Sequence, residues 1–157
     1  MGTRTIFARS ALFTTIASLI VSSAPLLAAA QAKPAAKVTP LYTFSAVAAD
    51  GTNSDGAKPS SITFEPSGDL IGTAKAGGSH AEGTIFKLTP QGQFRALHSF
   101  SALRGSQGAN DDGAVPLSAL TLGGDGLYYG VASAGGEGGA GTIFAISDTA
   151  DLATLYS

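Results

Sequence analysis

Hydrophobic and polar residues alternate along much of the chain after residue 40. Within residues 83–89, Thr84, Phe86 and Leu88 fall on one side of an extended chain, and Ile85 and Lys87 fall on the other. This period of two, broken by glycine and proline about every eight to twelve residues, is typical of short antiparallel strands joined by tight turns. The pattern predicts strands at residues 60–65, 70–74, 83–89, 93–100, 117–122, 127–132, 141–147 and 152–157. No stretch after residue 40 keeps a helical period, so we expect an all-β fold.

The chain contains two copies of one sequence unit. Gly-Thr-Ile-Phe occurs at residues 83–86 and 141–144, and Ala-Gly-Gly occurs at 76–78 and 134–136. Leu-Tyr-Thr-Phe at 41–44 matches Leu-His-Ser-Phe at 97–100, and Leu-Tyr-Ser at 155–157 begins the motif again. Motifs that recur in the same order at near-constant spacing indicate an internal repeat. We therefore predict repeat 1 at residues 41–96, repeat 2 at 97–154 and the start of a third repeat at 155–157.

Each repeat supplies four predicted strands with apolar residues on both faces. A sheet with one face in water would alternate more cleanly, so both faces are expected to be covered. Four-stranded units of this length predict two antiparallel, propeller-like blades, with an orphan strand at residues 41–44, in an incomplete β-propeller. A small β-sandwich is the alternative. Because a closed propeller needs about four to eight blades, we expect further copies of the repeat, or self-association, to cover the outer faces.

The first residues have the features of an export signal. Arg4 and Arg9 precede an apolar run at residues 11–21, Pro25 interrupts the following stretch, and Ala-x-Ala cleavage patterns end at Ala30 and Ala32. This order predicts a signal peptide at residues 1–32, followed by a proline-containing linker at 33–40. The run is shorter than the roughly 20 residues of a membrane span. We therefore expect an exported protein (periplasm, cell surface or extracellular) with no membrane span in the mature chain.

Composition removes several function classes. The chain has 157 residues, of which 21 are glycine, with no cysteine and no tryptophan. Without cysteine there is no thiolate metal site and no cysteine nucleophile. Nine basic residues against eleven acidic ones argue against an electrostatic nucleic-acid binder. Composition therefore argues against thiolate chemistry and against electrostatic binding of nucleic acid.

The ordered motifs resemble those of a known repeat family. Asp-Gly-Ala-x-Pro, Gly-Asp-Leu-Ile-Gly-Thr or Gly-Leu-Tyr-Tyr-Gly-Val, Ala-Gly-Gly, Gly-Thr-Ile-Phe and Leu-His-Ser-Phe are similar to the GloVer tandem repeat. That repeat occurs in exported bacterial proteins of the "choice-of-anchor" group. The resemblance implies an exported β-repeat protein and no particular reaction. We predict a non-catalytic module that scaffolds or binds a partner or ligand at the bacterial envelope, and the interrupted third motif favours a fragment of a longer array. The alternative is part of a propeller-type envelope hydrolase or lyase that acts on polysaccharide.

Two Asn-x-Asp-Gly segments are the nearest approach to a metal site. Asn53 with Asp55, and Asn110 with Asp112, have the alternate oxygen spacing of calcium loops, followed by a glycine. The first acidic ligand of such a loop is missing, and no Glu follows at the bidentate position. The competing interpretation is that Asn and Asp form turns through bonds to the backbone. Asn53, Asp55, Asn110 and Asp112 are therefore the calcium candidates, and we expect no other cofactor.

Three further groups of side chains have a chemical interpretation. His80 and Glu82 are candidates for an acid–base pair, but Gly138 and Ala140 stand at the equivalent positions of repeat 2. His98 lies alone on a predicted strand. Aromatic rings could stack on a sugar of the envelope, and the candidates are the four tyrosines, Tyr42, Tyr128, Tyr129 and Tyr156. We predict no catalytic residues, and we expect the partners to be copies of the repeat, an envelope polysaccharide or a protein.

Overall fold

Short antiparallel strands account for the regular structure of the computed structural model, which describes residues 37–157. The predicted signal peptide at 1–32 and residues 33–36 of the predicted linker lie outside the described residues. Within residues 37–157 the regular elements are all β-strands. No helix in this part of the chain has the length and hydropathy to cross a bilayer.

The first sheet, sheet 1, is a simple meander. Its strands are β1 (Ala57–Phe64), β2 (Leu70–Ala76), β3 (Thr84–Leu88) and β4 (Phe94–Ser99), paired in that order. All neighbours are antiparallel, and the turns before β2 and β4 contain Gly68 and Gly92 with φ of 92° and 83°. These are left-handed conformations that glycine adopts without steric strain, so the turns fall where the sequence predicts them.

The second sheet, sheet 2, is built from strands between residues 114 and 156, most of which lie in the predicted repeat 2. It contains β5 (Ala114–Pro116), β6 (Thr121–Leu122), β7 (Tyr128–Ala134), β8 (Thr142–Ile146) and β9 (Leu152–Tyr156). The order is β5-β7-β8-β9, with β6 also paired to β7. The predicted all-β fold of two antiparallel sheets is confirmed, and within the described residues the sheets do not close into a ring.

The strand predicted at residues 117–122 is shorter in the structure, where β5 ends at Pro116 and β6 covers only Thr121–Leu122. Pro116 has no N–H to continue the ladder, and the hydroxyl of Ser118 accepts the hydrogen bond from the backbone N–H of Val131 at 3.1 Å. The carbonyl of Ser118 in turn accepts a bond from the Ser61 hydroxyl of sheet 1 at 2.8 Å. The Ser118 hydroxyl therefore pairs with β7 where a backbone carbonyl would pair in a regular ladder, and the Ser118 carbonyl pairs with sheet 1.

No strand is assigned at residues 41–44, where the sequence predicts an orphan strand. We call residues 41–45 the leading segment. Its Tyr42 ring stacks on Phe94 at a centroid distance of 4.4 Å, and Phe44 packs edge-on against Phe86 at 5.3 Å. The segment has no backbone ladder with a neighbouring strand, so aromatic side chains hold it on sheet 1.

The backbone repeats even where the residues differ. Lys58 and Val115 hold φ of 54° and 55° at equivalent positions, and Gly92 and Ala150 hold 83° and 77°. Residues other than glycine rarely adopt this left-handed backbone conformation. The local conformation therefore follows the position in the repeat and not the residue type.

The hydrophobic core lies between the two sheets, and we call it the junction. Sheet 1 and the residue after it contribute Ile71, Ile85, Leu97 and Phe100, and sheet 2 contributes Leu120, Tyr128, Ala132, Phe144 and Ile146. Three hydroxyl groups of β1 also donate to carbonyl oxygens of the second repeat, at 3.0, 2.8 and 2.7 Å: Ser60 to Pro116, Ser61 to Ser118 and Thr63 to Leu120. Each sheet therefore shields one face of the other.

Candidate functional site

The side chain of Asn53 ties together three parts of the first repeat. Its Nδ2 donates to the carbonyl oxygens of Ser45 and Gly56, at 3.1 and 2.8 Å. Its Oδ1 accepts from the backbone N–H groups of Gly56 and Gly78, at 2.9 and 2.8 Å. A short amide side chain that follows a loop is well suited to replace missing backbone partners in this way.

Asn110 makes the same four bonds in the second repeat, where it is buried. Its Nδ2 donates to the carbonyl oxygens of Ser101 and Gly113, at 2.9 and 2.7 Å. Its Oδ1 accepts from the N–H groups of Gly113 and Gly136, at 2.9 and 2.8 Å. Two donors and two acceptor positions are the full capacity of an amide side chain, so both asparagines are saturated by their own chain.

Asp55 receives the leading segment. Its Oδ2 accepts from the Tyr42 hydroxyl at 2.7 Å and from the Ser45 N–H at 2.8 Å, and the Ser45 hydroxyl bonds to Oδ1. Burial acts to raise the pKa of Asp55, but hydrogen bonds from Ser45 and Tyr42 outweigh it, and the pKa is lowered. For Tyr42, burial and the Asp55 contact raise the pKa to about 12. The carboxylate and the phenol thus favour each other's ordinary charge state.

Asp112 is the equivalent acceptor in repeat 2, with a histidine in place of the tyrosine. His98 Nε2 lies 2.8 Å from Oδ2, the Ser101 N–H donates to the same oxygen at 3.0 Å, and the Ser101 hydroxyl bonds to Oδ1. Burial again acts to raise the pKa of Asp112, and the hydrogen bonds from His98 and Ser101 lower it overall. The structure therefore brings together two sequence candidates that lie 14 residues apart.

The four calcium candidates thus lie in two separate pairs, one pair in each repeat. A calcium ion takes six to eight oxygen ligands, and the amide oxygens of Asn53 and Asn110 already accept two N–H bonds each. Among residues 37–157 no cluster of three or more His, Asp or Glu side chains has the arrangement of a metal site. The geometry favours the turn interpretation, and calcium binding stays a prediction.

His80 and Glu82 lie in the loop between β2 and β3. Burial raises the pKa of Glu82, and the charge of His80 acts in the opposite direction. The backbone carbonyl of Glu82 accepts a hydrogen bond from the N–H of Val115 in the second repeat, at 2.8 Å. Glu82 therefore contacts the second repeat through its backbone carbonyl, and its side chain is only partly buried.

The four tyrosines have different surroundings. Tyr42 is stacked on Phe94, Tyr128 is buried in the junction, and the Tyr129 hydroxyl donates to Asp125 at 2.6 Å. Tyr156 is 71% exposed. Of the proposed sugar-stacking rings, Tyr156 thus presents the largest free surface.

A charged cluster that was not predicted from the sequence joins the two repeats. Lys87 on β3 lies 2.8 Å from Glu65 and 3.6 Å from Asp69 of the same repeat, and 2.7 Å from Asp148 of the other. Burial acts to lower the pKa of Lys87, but hydrogen bonds to Asp148 and Glu65 outweigh it and raise that pKa. Ala145 occupies the equivalent position in repeat 2. A lysine within an otherwise apolar strand was the available signal.

Comparison with known proteins gives one family. The model of the Gloeobacter/Verrucomicrobia repeat matches residues 31–157. No curated protein and no solved structure gives a significant match. The match covers both sheets, the leading segment and both Asn-x-Asp-Gly turns.

Proposed function

Because the chain belongs to the Gloeobacter/Verrucomicrobia repeat family, we propose that it is a non-catalytic, exported β-repeat module that scaffolds or binds a partner at the bacterial envelope. Its partners under this proposal are further copies of the repeat, an envelope polysaccharide or a protein. The family match, over residues 31–157, supports the repeat architecture directly.

One observation carries the non-catalytic part of the proposal. The polar residues that occur in both repeats, Asn53 with Asp55 and Asn110 with Asp112, make equivalent bonds to their own chain. A catalytic group needs a free atom within reach of a substrate. Side chains that repeat because they hold turns together provide structure, and a module of this kind acts through its surfaces.

Export is tested by fractionation of cells that express the full chain. We expect the protein in the periplasmic or extracellular fraction, with an N terminus at Lys33 after cleavage behind Ala32. A matched variant, Ala30→Arg with Ala32→Arg, removes both small-residue cleavage patterns and should accumulate uncleaved. An uncleaved wild-type chain in the cytoplasm would contradict the proposal.

Binding without chemistry is tested with envelope polysaccharide from the same bacterium. We expect the purified chain to cosediment with the polysaccharide or with an envelope protein while releasing no reducing ends. A steady release of sugar that follows the protein concentration would instead favour the hydrolase or lyase alternative. The variant Tyr156→Ala shows whether the exposed tyrosine contributes to sugar binding. Tyr129→Ala is the control, because the Tyr129 hydroxyl is already bonded to Asp125.

A further inference from the structure

The outer face of sheet 2 is exposed where the same face of sheet 1 is buried. Val131 and Ile143 are 44% and 45% exposed, whereas Thr73 and Ile85 at the equivalent positions are fully buried in the junction. A groove of about 550 Å³ lies on this face, lined by Val131, Ile143 and Tyr156 among others. The face has the composition of a junction surface without the sheet that would cover it.

The outer face of sheet 1 is the complement of that surface. Ile62 is 52% exposed, whereas Leu120 at the equivalent position of sheet 2 is 2% exposed. Between this face and the leading segment lies a second groove, of about 270 Å³, lined by Ile62, Phe86 and Leu41 among others. The two free surfaces of one chain thus correspond to the two halves of the junction that it already contains.

The leading segment occupies a position that belongs to the fourth strand of a preceding sheet. Phe44 packs on Phe86 as Phe100 packs on Phe144, with ring distances of 5.3 and 5.6 Å. Tyr42 bonds to Asp55 as His98 bonds to Asp112. Residues 155–157, Leu-Tyr-Ser, have nearly the same sequence as residues 41–43, Leu-Tyr-Thr. Either triplet is therefore chemically able to fill this position.

We propose that a second copy of this chain docks its sheet 1 on the outer face of sheet 2, head to tail. Residues 155–157 of the first copy replace residues 41–43 of the second copy, and the Tyr156 hydroxyl donates to Asp55 of the second copy in place of Tyr42. This inference rests on the proposed function and names one of its partners. Head-to-tail contacts close into rings when the rotation allows it. Since each copy contributes two sheets, a ring of about four to eight blades takes about two to four copies.

The charges and backbone groups at this contact are complementary. Inside the chain, the Val115 N–H donates to the Glu82 carbonyl across the junction. The equivalent pair between two copies is Lys58 and Ala140, and both residues are exposed. The lysine would lie beside the loop that carries Glu137, so an opposite charge is available at the rim of the same groove.

Light scattering during size-exclusion chromatography tests the assembly at high micromolar concentration. We expect two to four copies for the purified chain, and a monomer for Ile143→Arg, which places a charge on the proposed face. Leu103→Arg is the matched control, because Leu103 is partly exposed in a loop outside that face, and it should assemble normally. A wild-type monomer, or an assembled Ile143→Arg chain with an unchanged melting temperature, would overturn the proposal.

Two tyrosine variants test the exchange of segments. Tyr156→Phe removes the incoming hydroxyl and should raise the dissociation constant by about tenfold, as expected for the loss of a hydrogen bond to a charged acceptor. Tyr42→Phe weakens the segment that must be displaced and should lower the dissociation constant. Equal values for both variants and the wild type would show that the segments do not exchange.

Cross-linking tests the register, since the chain has no cysteine of its own. The double variant Lys58→Cys and Ala140→Cys should form disulfide-linked oligomers on mild oxidation, whereas a pair at Lys58 and Leu103 should not. Failure of these tests in a chain that is still exported and binds polysaccharide would reject only the second copy as partner. Assembly of a chain that stays in the cytoplasm would reject the proposed function and keep the interface.

Discussion

Asn53 and Asn110 use all of their side-chain hydrogen-bonding capacity on the backbone of their own chain. Each amide connects the end of the preceding segment, the glycine that follows it and the Ala-Gly-Gly loop. Gly56 and Gly77 lie so close to neighbouring atoms that an added Cβ would clash, and both have positive φ. Asparagine and glycine thus form one structural unit in these turns.

Replacement of the buried asparagine should be more damaging than replacement of the partly exposed one. Asn110→Ala removes four hydrogen bonds and leaves buried backbone groups unpaired, which should lower the free energy of unfolding by about 2–4 kcal/mol. Asn53→Ala removes the same bonds at a position that water reaches, so its effect should be smaller. Urea denaturation of both variants checks the order, and equal losses would contradict it.

Acid should destabilise the protein through its two bonded aspartates. The pKa of Asp112 and that of Asp55 are lowered in the folded state from an ordinary value of 3.8. The stabilisation is complete above the unfolded-state pKa and is lost as the pH falls through the lower folded-state value. Thermal melts should therefore show a falling midpoint below about pH 4. Asp112→Asn should be less stable at neutral pH and should show a weaker acid dependence.

At the scale of the elements, each central hairpin pairs a glycine with a phenylalanine. Gly72 is opposite Phe86 on β2 and β3, and Gly130 is opposite Phe144 on β7 and β8. A Cβ on either glycine would lie 2.6 Å from the ring of its partner. The ring covers a strand position that has no side chain of its own, which explains why both glycines lie inside strands.

Truncation of either ring should be strongly destabilising. Phe144→Ala and Phe86→Ala remove fully buried side chains and should each lower the free energy of unfolding by about 3–5 kcal/mol. His80→Ala, at an exposed loop position, should have almost no effect. Chemical denaturation followed by circular dichroism measures all three. A costly His80→Ala would show that the loop has a structural or metal-binding role.

At the scale of the whole molecule, one charged cluster makes the two repeats different. Lys87 and Glu65 of repeat 1 meet Asp148 of repeat 2, and burial and the Glu65 carboxylate raise the pKa of the nearby Tyr128 to about 12. In the second repeat Gly123 and Ala145 stand at the positions of Glu65 and Lys87. The cluster therefore distinguishes this junction from a contact between copies.

Removal of the lysine should leave a buried carboxylate without its cation. The Glu65 side chain is 4% exposed, so Lys87→Met should lower the free energy of unfolding by about 3 kcal/mol. The double variant Lys87→Met with Glu65→Leu removes both charges and should recover much of that loss. A double variant that is no more stable than Lys87→Met would show that the carboxylate contributes independently of the lysine.

The strand positions could be predicted because they depend on neighbours in the sequence. β3 and β8 lie within the predicted segments 83–89 and 141–147, where alternation and flanking turn residues define an extended chain. The prediction at residues 117–122 was less accurate, since the Ser118 hydroxyl and carbonyl bond to other elements. The Asn-x-Asp pairs could be identified as turn or ligand candidates from their spacing. The backbone partners of the amides could not be identified in this way, because they lie up to 26 residues away.

The sequence by itself determined that this is a repeated all-β chain. Alternation depends on neighbouring residues, and the repeat is visible in the order and spacing of motifs along the chain. Tertiary structure alone decided which faces are buried, which donor each aspartate receives and that Lys87 joins the repeats. Those contacts depend on the distance and orientation between distant segments. Two repeats with the same strand arrangement can therefore differ in which of their faces is covered.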